Sequence, residues 1–390
     1  MSAPSIAIQR AASPLHARPT ARRLDLVDPY LLIATLLLIG YGLVMTYSIT
    51  IEDRAFSGDI LQPMLRASAY ALIGLAAMCA AAVIDYNWLG TFAPVIYIGT
   101  LVLLAVVLVI GNTTLGATRW VTIAGFKFQP SEFAKVFMII VLARWFADRQ
   151  TKVGSPLVVA GALLILAPAA GLVFRQPDLG TSLVFVAVFF GIAFLAGARV
   201  WQLTALVAAV LAAMPLIWTI LKDYQRARLT AFLDPYADPQ GAGWNIIQSL
   251  IAVGSGQLSG KGLTAGTQSP LGYLPIAESD FVFAGLAEDL GFLGALILFA
   301  LFLVLLLAGL RIALRARDAF GMLVAAGVVS MIAFQIVVNV GMAISLMPVT
   351  GIPLPFISQG GSSLISICFA LGILQSISMR RKTRAEEARL

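Results

Sequence analysis

Charge is scarce in this chain: Asp, Glu, Lys and Arg together make up 12% of its 390 residues, where a soluble domain carries about a quarter. Hydrophobic residues reach 60% and the mean hydropathy is +0.93, which excludes a water-soluble globular protein. Histidine is almost absent. The single one, His16, lies in a Pro/Ala/Arg-rich tail, so no His/Cys cluster exists from which a zinc or iron site could be built. The same absence removes the base that a serine nucleophile needs, so SQGGSS, residues 358–363, is not a nucleophile elbow. Cysteine is limited to Cys79 and Cys368, in separate apolar runs, where free thiols behave as small hydrophobes and no disulfide framework arises. The net charge of +7 does not indicate nucleic acid, because in a membrane chain the placement of Lys and Arg records orientation.

What the sequence has in abundance is long apolar runs. Crossing about 30 Å of hydrocarbon takes about 20 residues, and ten candidate spans centre near Ile39, Leu75, Leu103, Ile139, Leu164, Val188, Ala209, Leu298, Val329 and Phe369. The expectation is an all-α, polytopic membrane protein with one helical domain over residues 29–380. A basic tail precedes it to residue 28, and a short tail follows over 381–390. An even number of spans puts both termini on one side, and the cations Arg10, Arg18, Arg22, Arg23, Arg149, Lys152, Arg199, Arg311, Arg315, Arg317, Arg380, Arg381 and Lys382 fall there, so both ends are expected in the cytoplasm. The first run follows a basic tail and lacks a small-residue cleavage site, which predicts an uncleaved first helix.

The opposite face keeps fewer cations, among them Arg54, Arg66, Arg119, Lys127, Arg175, Lys222, Arg226, Arg228 and Lys261, several of them beside motifs. GATRWVTIAGFKFQPSEFAK, residues 116–135, carries Arg119, Lys127, Glu132 and Lys135, with Pro130 at a helix start. FRQPDLGTS, residues 174–182, carries Arg175 and Asp178. Residues 222–279 form the longest stretch between spans, seven to eight in order, too long for a passive connection. Within it, the periodicity of Ile246, Ile247, Leu250 and Ile251 predicts an interfacial or re-entrant helix. MPVTGIPLPFISQGGSSLIS, residues 347–366, is too rich in Pro and Gly for a clean helix. Irregular backbone at membrane depth needs protein or a water-filled cavity around it, so this segment is expected to line the outer vestibule.

Ionisable groups in membrane segments mark a functional site or a paired interior. Glu132 and Lys135 are three apart on one helix face, a spacing that allows an ion pair. Asp178 reads equally as a helix cap and as a functional acid. Asp280 stands where a loop meets an apolar helix, followed by Phe281, Val282 and Phe283. A carboxylate shielded in this way is a better proton acceptor, and capping, with Ser279 as the alternative cap, is its rival role. Glu288 and Asp289, further along the same helix, read as interior groups bonded to neighbouring helices. SGQLSGKG, residues 255–262, departs from the phosphate loop at its first and last positions and faces away from cytoplasmic nucleotide, although Lys261 could hold a phosphate as a point charge.

These motifs, in this order, resemble the SEDS proteins (shape, elongation, division and sporulation), the RodA and FtsW group, over nearly all of the chain from the first helix onward. PVTGIPLP is closer to the RodA branch. The resemblance implies a ten-helix glycosyltransferase of the bacterial cytoplasmic membrane. It would polymerise lipid II into glycan strands at the outer face and work with a class B penicillin-binding protein. It also implies Asp280 as the catalytic acid of the ESDFVF motif, and gives Glu132, Lys135 and Asp178 as the acidic and basic residues of the matching motifs. The chain departs from the family at Glu278-Ser279, where His-Thr is frequent, and at Gln359, where the family has Tyr. The chemistry expected is proton abstraction from a sugar 4-hydroxyl by Asp280, with some of Arg119, Lys127, Arg175 and Lys261 holding a departing polyprenyl pyrophosphate. No cofactor is evident, and a divalent cation held by carboxylates alone stays open. The rival classes are a transporter of lipid-linked precursor, a division-specific FtsW-type polymerase and an inert scaffold. A transporter would show internal repeats with paired broken helices, and the two halves of this sequence show no such repeat.

Overall fold

Apolar runs of this length can satisfy their backbone N–H and C=O groups in hydrocarbon only by pairing them within the run, and the chain is accordingly mostly helical. The computed structural model describes residues 27–54, 61–114, 117–123, 126–221, 223–241, 243–268 and 279–380. The two terminal tails, 1–26 and 381–390, and Glu278 lie outside the described residues. The first helices are α1 (Pro29–Arg54), α2 (Leu61–Val83), α3 (Tyr86–Thr91) and α4 (Ala93–Ile110). Three short strands follow, β1 (Asn112–Thr114), β2 (Ala117–Ile123) and β3 (Phe126–Phe128). Then come α5 (Pro130–Ala147), α6 (Pro156–Arg175), α7 (Leu179–Ala196), α8 (Val200–Ala212) and α9 (Met214–Ile220). The chain continues through α10 (Asp223–Leu233), α11 (Trp244–Ser255), α12 (Val282–Leu314), α13 (Ala319–Ala343) and α14 (Gly361–Met379). Among the described residues, seven helices are long and apolar enough to cross a membrane: α1, α2, α6, α7, α12, α13 and α14. α4 and α8 are shorter apolar helices, and α5 carries three charged residues. All ten apolar centres of the sequence fall on helices.

The all-α expectation needs one correction. Residues 112–114, 117–123 and 126–128 form an antiparallel sheet in the order β1-β2-β3, with Thr113 opposite Thr118 and Val121 opposite Phe128. Its β-branched and aromatic residues, T-R-W-V-T-I, favour the pleated conformation over a helix.

The core is built on α5, α7 and α13. Along α5, Ala134, Met138, Ile139, Leu142 and Phe146 are fully buried, as are Phe185 and Val188 on α7. Small residues let these backbones approach, as expected where lipid gives no hydrophobic force between helices. A Cβ on Gly327 of α13 would press on Ile139 and Ile192, and one on Gly372 of α14 would strike the Met78 carbonyl of α2.

α12 is broken. Gly291 has φ 64° and ψ −164°, so residues 282–290 and 292–314 are two helical pieces joined at a non-helical residue. The groups freed by the break are closed by the 257–262 segment. Lys261 N–H donates to Glu288 O at 3.0 Å, Gly262 N–H to Asp289 O at 2.9 Å, and Phe292 N–H to Gln257 O at 2.9 Å. Gly260, at φ +77°, sits so close that a Cβ would collide with the Asp289 carbonyl. The glycines of SGQLSGKG thus serve close backbone approach. A Gly260→Ala substitution combines that collision with a left-handed φ and is expected to lower stability by about 1–3 kcal/mol, read as a drop in thermal midpoint of the detergent-solubilised protein; an unchanged midpoint would refute the pairing.

Candidate active site at one end of the bundle

The starts of α5, α7, α12 and α14, the end of α13 and the irregular segment 344–360 are bound together at one end of the molecule. Gln129, the residue before α5, donates its N–H to Ser362 Oγ of α14 at 2.9 Å and its side-chain amide to Asp178 Oδ2 at the start of α7 at 3.1 Å. Ser358 Oγ donates to Ser279 O ahead of α12 at 2.6 Å. Asn339, buried near the end of α13, donates from one amide nitrogen to Asp280 O at 3.0 Å and Ile352 O at 2.8 Å. Four helix N-termini therefore share this end, and each carries partial positive charge on its free N–H groups.

Asp280 stands one residue ahead of the first residue of the α12 cap turn, half-buried, with Phe281, Val282 and Phe283 buried behind it. Ser279 Oγ donates to Asp280 Oδ1 at 3.0 Å. Facing it is Gly351, at φ +74°; the point where its Cβ would stand is 3.4 Å from Asp280 Oδ2 and 3.9 Å from Arg228 Nη1. Carboxylate and guanidinium thus border the same small space. Arg228 is held there by a contact of 3.4 Å from Nη1 to Val349 O. It comes from α10, more than fifty residues before Asp280. Nothing in the local sequence separates it from Arg226, whose guanidinium instead donates to Trp218 O at 3.0 Å and Thr219 O at 3.1 Å.

The other candidate residues divide. Asp178 joins Asp280's end of the bundle as a cap that also ties two helices: it accepts from Thr181 N–H at 3.1 Å, Thr181 Oγ1 at 2.9 Å and Ser131 Oγ at 3.3 Å. Glu132 and Lys135 form an ion pair of 2.8 Å, each only 2% exposed, in the first two turns of α5. Glu132 Oε2 is buried and has no hydrogen-bond partner among the described residues. Arg175 is exposed at the end of α6. Arg119 lies on β2 and Lys127 on β3 opposite Thr122, in the sheet that leads into α5.

Lys261 is placed elsewhere. Its Nζ meets Glu288 Oε1 at 2.6 Å, with Lys261 28% exposed and Glu288 fully buried. Glu288 lies six residues beyond the first residue of α12, about 9 Å along its axis. Thr267 N–H also donates to Glu288 Oε1 at 2.8 Å, and Ser48 Oγ of α1 donates to Asp289 Oδ2 at 2.6 Å. Glu288 and Asp289 are thus the bonded interior groups that their sequence position suggested. Among the described residues no group of three or more His, Cys, Asp or Glu side chains is arranged to hold a metal ion.

A family of cell cycle proteins named for FtsW, RodA and SpoVE matches residues 29–383. The chain is 40% identical over 358 residues to peptidoglycan glycosyltransferase MrdB of Escherichia coli (strain K12), covering 91% of this chain and 94% of that protein. It is 39% identical over 357 residues to stage V sporulation protein E of Bacillus subtilis (strain 168), covering 90% and 96%. Among solved structures, it resembles a chain described under structural coordination of polymerization and crosslinking by a peptidoglycan synthase complex, with a TM-score of 0.74, 30% identity and coverage of 90% and 97%. It also resembles the rod shape determining protein RodA of Thermus thermophilus, with a TM-score of 0.68, 27% identity and coverage of 92% and 98%.

Removing one partner of a buried ion pair leaves the other charge uncompensated, at a cost of about 3–5 kcal/mol, whereas replacing both with apolar groups is often neutral. Lys135→Met is therefore expected to destabilise strongly, and Glu132→Leu with Lys135→Met to recover most of that loss. Lys261→Met should cost less, about 2 kcal/mol, because backbone N–H groups also hold Glu288; chemical denaturation of the three variants checks the ranking.

Proposed function

The chain belongs to the FtsW/RodA/SpoVE family, and from that membership we propose that it is a peptidoglycan glycosyltransferase that polymerises lipid II with Asp280 as general base. In this reading ten helices span the membrane: α1, α2, α4 to α8, α12, α13 and α14. Both termini face the cytoplasm, and the end that carries Asp280 faces the extracytoplasmic side, as does the large loop between the seventh and eighth spans. The RodA branch, serving elongation and cell shape, is favoured by PVTGIPLP and by the similarity to MrdB and to a rod shape determining protein. A class B penicillin-binding protein is the proposed crosslinking partner, in line with the synthase complex among its structural neighbours.

The transfer forms a bond between the acceptor's 4-hydroxyl oxygen and the donor's anomeric carbon and breaks the bond from that carbon to the diphosphate oxygen. The hydroxyl proton passes to the Asp280 carboxylate, and the bonding electrons leave with the polyprenyl diphosphate. A base has to be fixed before the acceptor arrives. Asp280 meets that need through Ser279 Oγ on its carboxylate and Asn339 on its carbonyl. The leaving group needs cations and oriented N–H groups where negative charge grows. Arg228 takes the nearest position. Arg119 and Lys127 on the sheet and Arg175 at the end of α6 complete the cationic set, while Asp178 and the Glu132–Lys135 pair keep the floor of the site in place; Lys261, engaged by Glu288, stays outside it. The observation that carries this assignment is the shared space between Asp280 Oδ2, Arg228 Nη1 and Gly351.

Purified full-length protein given lipid II in detergent tests it. Asp280→Asn should fold with an unchanged thermal midpoint and lose about 100-fold to 10,000-fold in polymer formation, the usual weight of a general base. Arg228→Gln should lose about 100-fold or more. Glycan strands from a clean Asp280→Asn preparation would remove Asp280 from the role.

A further inference from the structure

We propose that buried water links Gln335 of α13 to the Glu132–Lys135 pair of α5 and to Asn339, and that through this water Gln335 positions the Asp280 main chain. The positioning role rests on the glycosyltransferase reading above; the hydrated site does not. Gln335 is fully buried, and neither its Oε1 nor its Nε2 has a hydrogen-bond partner among the described residues. A side-chain amide brings both donors and acceptors. In an apolar bundle each one left bare carries the whole desolvation penalty of a polar group. Glu132 Oε2, Asn339 Oδ1 and Thr350 Oγ1 are buried and unpaired in the same sense.

These groups gather at one end of the bundle. α5 begins at the end where α13 finishes, so the two helices run in opposite directions. Their register is fixed at Gly327, whose Cβ would stand 2.6 Å from Ile139. Going on from 327 to 335 along α13, and back from 139 to 131 along α5, covers about 12 Å in each case. Gln335 therefore stands level with Ser131 and Glu132. Gly327, Met331, Gln335 and Asn339 are four apart and follow one row along α13. The amide that holds Asp280 O and Ile352 O is thus one turn beyond Gln335, and Thr350 is two residues from Ile352.

A buried water needs about two to four polar partners, and this row supplies them with the right polarity. Gln335 Nε2 donates to water, while Glu132 Oε2 and Asn339 Oδ1 accept from it. Lys135 holds the other Glu132 oxygen at 2.8 Å, which keeps Oε2 for this purpose. Water at Asn339 Oδ1 also fixes which way that amide faces. With Oδ1 so engaged, Nδ2 points at the carbonyls of Asp280 and Ile352; a flipped amide would set oxygen against oxygen. A polar network that is fully satisfied rigidifies what it touches. The proposed base is thereby held from behind, through its own carbonyl, by a chain that ends on the buried ion pair. Gln335 is a positioning residue in this scheme and does not meet substrate.

Full-length protein in detergent tests the site through Gln335→Leu and the closer isostere Gln335→Met. Removing a bare amide from a dry site raises the thermal midpoint, because a desolvation penalty disappears, whereas removing one that bridges water lowers it. A drop of a few degrees is expected. At most about half of that drop should remain when Glu132→Leu and Lys135→Met are already in place, the non-additivity of a shared network. X-ray radiolysis in heavy-oxygen water should label Met331, one turn from Gln335, in the wild type, and about fivefold less in Gln335→Leu. With lipid II as substrate, Gln335→Leu should lower kcat about tenfold and leave KM within about twofold, since the loss displaces the base and no substrate contact. A higher midpoint in both variants, an equal drop in both backgrounds, or an unlabelled Met331 in the wild type would overturn the water bridge. An unchanged kcat would overturn the positioning role. Midpoints and labelling are read without turnover, so a wild-type protein that makes no polymer counts against the polymerase assignment and leaves the bridge to its own tests.

Discussion

Backbone that leaves a helix inside an apolar bundle must find hydrogen-bond partners without bulk water, and Asn339 is where that constraint is met most directly. One buried amide nitrogen closes the carbonyl of Asp280 and that of Ile352, so the start of α12 and the irregular 344–360 segment are fixed to α13 and to each other. Ser358 adds the tie between that segment and Ser279. The residue proposed as base is thereby held by its own main chain. Ser279 also donates to its carboxylate, and Arg228 approaches the same small space beside Gly351.

The same constraint recurs at Gly291, where α12 breaks. The 257–262 segment supplies main-chain donors and acceptors in place of the lost helical turn. Two acids follow from it. Glu288 gathers Lys261 and the N–H groups of Thr267 and Gln268, and Asp289 takes Ser48 of α1. Acidic residues near the start of α12 therefore do two different kinds of work. Asp280 borders Gly351 beside a cation, whereas Glu288 and Asp289 close a loop over a broken helix. A buried carboxylate without such partners would be far more costly than the turn it replaces.

Relations between near neighbours were legible without coordinates. The ten apolar centres fall on helices because membrane-length apolar runs admit one backbone solution. The Glu132–Lys135 pair follows from a spacing of three residues, and the Asp178 cap follows from an acid just ahead of a helical run. The small sheet at 112–128 was not legible, because three strands of three to seven residues in a glycine-containing loop resemble any organised turn. Nor was Lys261's partner, since Glu288 lies 27 residues away.

By itself the sequence determined that this is a helical membrane protein, that several ionisable residues stand in motifs at the ends of its apolar runs, and that Asp280 is the acid with greasy neighbours. Hydropathy, capping and periodicity act over a few residues, so a linear reading captures them. Only the tertiary structure decided which cation stands beside Asp280, which one neutralises Glu288, and that Gln335 stands level with Glu132. Those choices depend on how separate helices cross, and a guanidinium two residues to either side looks the same in sequence while pointing at a different neighbour in space.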